Sequence, residues 1–339
     1  MTRVLVARLD SMGDVLVCGP AVRAVAASGD EVVLLAGPQG AAAARLLPGV
    51  AEVRVLAAPW QTSTDRAVDA ALVEEVAAIV AETGVTRAVL LTSFHQSPLP
   101  TAMLLRLAGL TDITGASVDA AGGLLSTRLI PGEDLTEDQP EPLRALAIAA
   151  AAGYAVEEGD DRLAVDLPAD RSPAAPAGPY VVVHPGAAVP ARAYPADLHR
   201  AVVAELTARG HAVVVTGAPA EAALTASVAG DAGTDLGGAL GLADLGRLLR
   251  DAAVVVTGNT GPAHLAAAVG TPIVSLFAPV VPSIRWAPWG VPVALLGDQQ
   301  AACRGTRARV CPVPGHPCLA SVPPAEVADA AERLMGAAA

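Results

Sequence analysis

Four short segments bring together residue types that do chemistry. RLDSMGD, Arg8 to Asp14, follows the apolar run VLVA and puts a carboxylate, Asp14, near the start of the next helix. A carboxylate there either complements the positive end of the helix dipole or acts as a general base that takes a proton from a substrate hydroxyl. HPGAAVPARAYP, His184 to Pro195, carries Arg192 in a loop that leads into a helix. Its planar fork of donors suits phosphate oxygens, and the bland alternative is a surface arginine. In GNTGPAHL, Gly258 to Leu265, Asn259 and Thr260 are caps, Gly261 admits a ligand to the backbone, and Pro262 suits a first helical turn. Exposed N–H groups and the dipole then make an anion site without a cationic side chain. His264, one turn in, faces either that ligand or the core. In TGAPAE, Thr216 to Glu221, Glu221 is either an acceptor for a ribose diol or an ordinary first-turn glutamate.

The elements that must position these residues follow an alternating pattern. Val4 to Ala7, Glu31 to Leu35, Ala51 to Leu56 and Arg87 to Leu91 read as strands, with a helix over Pro20 to Ala27. Between Ala67 and Ala81, Val68, Leu72, Val76, Ile79 and Val80 recur on one helical face. LPADRSPAAPAGP, Leu167 to Pro179, has no periodicity and reads as a linker. After it come strands at Tyr180 to His184, Ala212 to Thr216, Ala253 to Thr257 and Ile273 to Phe277. Helices alternate with them at Pro195 to Arg209, Ala220 to Ala229, Ala243 to Arg250 and Gly261 to Val269. Strand and helix in turn imply an α/β class with parallel sheets. A linker between two such halves implies a cleft, with the ligand at the carboxyl ends of the strands. No GxGxxG follows the first strand, which disfavours a dinucleotide dehydrogenase.

At 339 residues the chain exceeds the span of one core, and two domains are expected, over about 1–170 and 178–322. Hydrophobic residues make up 53% and charged residues 17%, which excludes a disordered chain. The mean hydropathy of +0.49 comes from dispersed Ala and Val, and no run approaches the ~20 apolar residues of a membrane span. Charges near the N-terminus interrupt a signal-peptide core, so a cytoplasmic protein with at most peripheral membrane contact is expected. A net charge of −12 with 2% aromatic residues argues against nucleic acid. All 22 cationic residues are arginines, so Arg must serve wherever a fixed positive charge is needed. Cys303, Cys311 and Cys318 lack the paired spacing of zinc sites, although His316 lies beside the third. No metal is expected there, and reduced thiols or a local disulfide remain open.

RLDSMGDVLVCGPAVRAV, HPGAAVPARAYP and GNTGPAHLAAAVGTPIVSLFAP, in this order and spacing, resemble the glycosyltransferase family 9 proteins, the ADP-heptose heptosyltransferases of lipopolysaccharide core assembly. The resemblance implies a GT-B architecture of two facing Rossmann-like domains, acceptor bound by the first and nucleotide sugar by the second. A helix at about 323–339 is expected to cross back onto the first domain. The resemblance further implies an inverting transfer from an ADP-sugar to a glycan or small-molecule hydroxyl by a monomer, with Asp14 as base and no metal cofactor. Ser11 and Gly13 belong to the matched SxGD motif. Arg192 stands where the family has lysine and Asn259 where it has aspartate, while Thr260, Gly261 and His264 are retained. His184 and Tyr194 replace an asparagine and a tryptophan, and Glu221 falls near the family's ribose-contacting acid. Two other classes remain: a GT-B epimerase or hydrolase, which would consume donor without forming a glycoside, and a non-catalytic nucleotide-sugar binder, for which Asp14 would be dispensable.

Overall fold

The structure, a computed structural model, describes residues 2–61, 65–155 and 159–337. It divides into two compact units, Met1–Asp166 and Leu167–Ala339, and the break falls at the front of the Pro- and Ala-rich segment. In the first unit the strands are β1 (Arg3–Arg8), β2 (Glu31–Ala36), β3 (Val50–Val55), β4 (Arg87–Leu90), β5 (Asp112–Ala116) and β6 (Thr127–Leu129). All pair in parallel, in the order β3-β2-β1-β4-β5-β6. Every residue of β1 after Arg3 is buried, as expected for a central parallel strand covered on both faces. The strand order reverses between β1 and β4, which opens a crevice at their carboxyl ends. Ala7 pairs with Leu90 there, so the loops that follow the two strands emerge side by side.

The helix expected over Ala67 to Ala81 runs from Ala70 to Thr83. Asp69 fixes its start by accepting from Leu72 N at 3.0 Å, and Gly84 closes it at a φ of 64°. Val68 therefore lies outside the helix and is exposed, whereas Leu72, Val76, Ile79 and Val80 form the buried stripe. The turn after β2 presses on the loop after β1. A Cβ on Gly37 would sit 2.2 Å from Leu9 O, a clash of backbone with backbone. Gly37→Ala is expected to destabilise the protein by about 1–3 kcal/mol, because no rotamer relieves the overlap. Chemical denaturation of the variant checks this.

The second unit repeats the topology with β7 (Tyr180–His184), β8 (Ala212–Val215), β9 (Thr234–Asp235), β10 (Val254–Gly258), β11 (Ile273–Leu276) and β12 (Val293–Leu296). The order is β12-β11-β10-β7-β8-β9, all parallel, with the reversal between β7 and β10. Val181 and Val183, with Val254 and Val256, join Val202 and Leu206 in its core. The helix Pro324–Ala337 falls within the second unit. Val327, Ala328, Ala330 and Ala331 are fully buried in the core of the second unit. Small residues on that face let the helix lie close against the helix Ala196–Ala208 and the strands β10–β12. At the rim, Arg209 pairs with Asp329 at 2.7 Å and with Glu332 at 2.8 Å.

Candidate functional site

In the first unit, β1 ends in a charged residue that the sheet buries. Arg8 is 2% exposed, and its Nη2 donates to Asp14 Oδ1 at 2.9 Å and to Ser93 Oγ at 2.6 Å. Its Nε lies 2.7 Å from Asp10 Oδ2 but off the N–H line, so that contact is an ion pair and not a hydrogen bond. Burial works against the Arg8 charge, and Asp10, Cys18, Asp14 and Glu141 together outweigh it, so the guanidinium stays protonated. Ser11 starts the short helix Met12–Leu16 with a capping box, in which Ser11 N and Oγ donate to Asp14 Oδ2 at 3.2 and 2.6 Å. Gly13 is buried in that helix. Both bland and functional readings of Asp14 thus have a physical basis: it caps its helix, and it presents a carboxylate with a partly exposed edge at the crevice. Cys18, just behind, is a buried thiol pushed up to about 12, chiefly by burial.

Around Arg8 the fold gathers residues to which sequence reasoning gave no role. Gln96 Nε2 donates to Asp10 Oδ1 at 2.6 Å, and Gln96 Oε1 accepts from Ser93 N at 2.8 Å. Ser93 Oγ donates to Glu141 Oε2 at 2.6 Å. A signal for Arg8 exists in the sequence, since a cation closing an otherwise apolar strand needs a buried counter-charge. Ser93 and Glu141 carry no such signal, because only the pairing of β1 with β4 and the packing of the helix Glu141–Ala151 on that sheet bring them there.

In the second unit the polar residues again collect at the reversal. His184 closes β7, and its Nδ1 lies 3.0 Å from Thr216 Oγ1, which follows β8. Thr257 Oγ1 on β10 donates to His184 O at 3.1 Å. Glu221 Oε2 accepts from Ala218 N at 2.8 Å and lies 4.0 Å from His184 Nε2. A Cβ on Gly186 would meet that carboxylate at 2.2 Å, so glycine is what lets Glu221 fold over the β7 loop. Arg192 ends the 3₁₀ turn Pro190–Arg192. This turn crosses the end of β10, where a Cβ on Gly258 would be 3.2 Å from Arg192 O. Next comes Asn259, 6% exposed, whose buried Nδ2 has no hydrogen-bond partner among the described residues. Thr260 is the N-cap of the helix Gly261–Ala268 in backbone conformation, yet its hydroxyl makes no cap bond. His264 is buried one turn in. Arg192, Glu221, Asn259, Thr260, Gly261 and His264 therefore share one sheet end, while Ser11, Gly13 and Asp14 stand at the corresponding end of the other sheet.

Two histidines of the second unit are held neutral. Burial lowers His184 to about 4, with Glu221 opposing, and lowers His199 to about 3, with His184 adding to the effect. Protons then bind the unfolded chain first, so this part of the stability is present above about pH 6.5 and is lost as pH falls towards 4. The expected slope is about 1.4 kcal/mol per pH unit for each histidine. Urea melts at a series of pH values check it, and His199→Phe should flatten the curve.

Cys18, Cys303, Cys311 and Cys318 are free thiols. Cys318 is pushed up to about 12 by burial, with Cys303 and Cys311 adding to it. Among the described residues no three His, Cys, Asp or Glu side chains group so as to hold a metal ion. Among the described residues, too, no helix is long and apolar enough to cross a membrane.

The chain matches the family model described as glycosyltransferase family 9 (heptosyltransferase) over residues 95–315, well over half its length. The chain belongs to glycosyltransferase family 9. This family 9 protein is similar to lipopolysaccharide heptosyltransferase 3 of Escherichia coli, 34% identical over 121 residues that cover 32% of this chain and 34% of the relative. It thus matches about a third of that relative's length. Among solved structures, the glycosyl transferase family 9 protein from Veillonella parvula superposes with a TM-score of 0.80 at 16% identity, over 99% of this chain and 98% of the other. An E. coli heptosyltransferase with ADP-2-deoxy-2-fluoro heptose gives 0.71 at 19% identity, over 100% of both chains. At these identities the likeness is one of fold, and the two Rossmann-type units of the family 9 protein are those of the GT-B class.

Proposed function

We propose that this protein is an inverting glycosyltransferase that moves a sugar, a heptose, from an ADP-sugar to a hydroxyl of a glycan or small molecule. The observation that carries the reading is the anion seat at Asn259–Thr260–Gly261. A buried amide nitrogen there lacks a partner among the described residues, and the helix start is left without a side-chain cap. Buried donors are normally satisfied, and a helix N-terminus favours phosphate. The likeness in fold to a heptosyltransferase that holds an ADP-sugar analogue supports the choice of donor.

In this reading the second unit holds the donor and the first supplies the base. The acceptor oxygen attacks the anomeric carbon as Asp14 takes its proton. The bond to the diphosphate breaks on the opposite face, which inverts the anomeric configuration. Charge that develops on the leaving diphosphate meets Arg192, the amide donors at Asn259, Thr260 and Gly261, and the helix dipole. His264 supports that turn, and Glu221 accepts from the ribose. With these groups in place the reaction is taken to need no metal, and chelators are expected to leave its rate unchanged. We place the protein in the cytoplasm as a monomer.

A thermal-shift screen of ADP-, GDP-, UDP- and dTDP-sugars tests the donor. Stabilisation by ADP-sugars alone supports the assignment, and a preference for UDP- or dTDP-sugars overturns it. A panel of acceptors, with the anomeric configuration of the product read by NMR, then tests transfer and inversion.

A further inference from the structure

The reading of Asp14 as a base meets a difficulty in its own surroundings. Arg8 Nη2 lies 2.9 Å from Asp14 Oδ1. A guanidinium so close holds the carboxylate in an ion pair, and a general base gives up that pairing when it takes a proton. The same crevice contains two further carboxylates that the reaction as described above does not use.

Asp10 is the first. Its Oδ2 lies 2.7 Å from Arg8 Nε, and Gln96 holds its Oδ1. Glu141 is the second, the first residue of the helix Glu141–Ala151 and 2% exposed. It reaches Arg8 through one hydroxyl. Ser93 has a single hydroxyl hydrogen, which goes to Glu141 Oε2, so the Ser93 oxygen presents its lone pair to Arg8 Nη2. Glu141 Oε1 has no hydrogen-bond partner among the described residues. Arg144, one turn further along that helix, also favours the Glu141 charge, less than Arg8 does. It is paired with Glu137 and donates to Thr92 O at 3.1 Å. Cys18, packed against Arg8 from the helices that follow β1, is a neutral thiol. Arg8 therefore faces three carboxylates, and the negative charge around it falls when Asp14 gains a proton.

We propose that Asp10 and Glu141 are positioning residues for the transfer: they engage Arg8, directly and through Ser93, so that Asp14 remains able to take the acceptor's proton. The proposal rests on the reading of Asp14 as general base. Burial raises both Asp10 and Glu141 above the ordinary carboxylate range while Arg8 holds each back, as expected of groups that share one cation.

The test compares pH–rate profiles of wild type, Asp10→Asn, Glu141→Gln and Ser93→Ala, from about pH 5 to pH 9. Removal of either charge leaves Arg8 with one carboxylate fewer to share and a stronger hold on Asp14. The acidic limb of kcat should then move to lower pH by about 0.5–1, and the plateau should fall about 3- to 10-fold as the base weakens, with donor KM unchanged. In Glu141→Gln the side-chain amide oxygen still accepts from Ser93, so a purely structural role predicts no move of the limb in that variant. Ser93→Ala keeps both charges and should move the limb less than Glu141→Gln. Profiles that superimpose on wild type, or a limb that moves to higher pH, overturn the proposal. If Glu141→Gln does not fold, Asp10→Asn carries the test alone. Asp14→Asn separates the two ideas. Loss of transfer in that variant beside unmoved limbs in the others sinks only this inference, whereas retained transfer sinks both it and the reading of Asp14.

Discussion

Replacing Asp14 with asparagine is expected to cut sugar transfer by about 10²- to 10⁴-fold, the range seen when a positioned general base is lost. The substitution is nearly isosteric. The amide keeps one oxygen to accept from Arg8 Nη2, and it loses an acceptor in the capping box with Ser11. A change of about 1 kcal/mol in stability is the expected cost of that loss. Donor affinity should stay at the wild-type value, because the groups assigned to the diphosphate all belong to the second unit. The measurement is initial rate of glycoside formation beside a titration of ADP-sugar by calorimetry. Transfer within tenfold of wild type would show that another group takes the proton. Equal losses in rate and donor affinity would show that Asp14 acts on structure and not on the reaction.

Arg192→Ala should weaken ADP binding about 10- to 100-fold, as expected for loss of hydrogen bonds to a charged group. The side chain leaves from a 3₁₀ turn whose backbone rests on Gly258, so truncation beyond Cβ does not alter the contact that fixes the turn. Adenosine serves as the control. It lacks phosphate, so its affinity should be unaffected if Arg192 acts on the diphosphate. Parallel losses for adenosine and ADP would place Arg192 elsewhere. Arg192→Lys should recover only part of the affinity, since an ammonium keeps the charge and lacks the fork.

Most of the strands and helices around the site were legible because parallel strands buried on both faces are continuous apolar runs. VLVA, VVV and VVVT need no partner information to be read. The helix Ala70–Thr83 was legible by its stripe, but its start was not, because the Asp69 cap outweighs the apolar match of Val68. Strands β5, β6, β9 and β12 escaped. Asp112–Ala116 contains Thr and Gly, and Thr234–Asp235 has two residues, so neither offers a periodicity to detect. The C-terminal helix was legible as a helix, but its host was not. Its Val327 and alanines are apolar on any host, and only the available groove decides where they are buried.

The site divides along the same line. By itself the sequence determined where the polar strand-to-helix turns lie, since capping residues, glycines and a proline there fix local backbone and leave the N–H groups of the helix start open. It also determined that every cation would be an arginine. The tertiary structure alone decided that Ser93 and Glu141, remote in the chain, meet Arg8 at 2% exposure, and that Gly186 yields its space to Glu221. The reason is that local order follows from the few residues within one turn, whereas the balance of buried charge depends on which strands become neighbours. That choice is made by the sheet order β3-β2-β1-β4-β5-β6, which no single segment encodes.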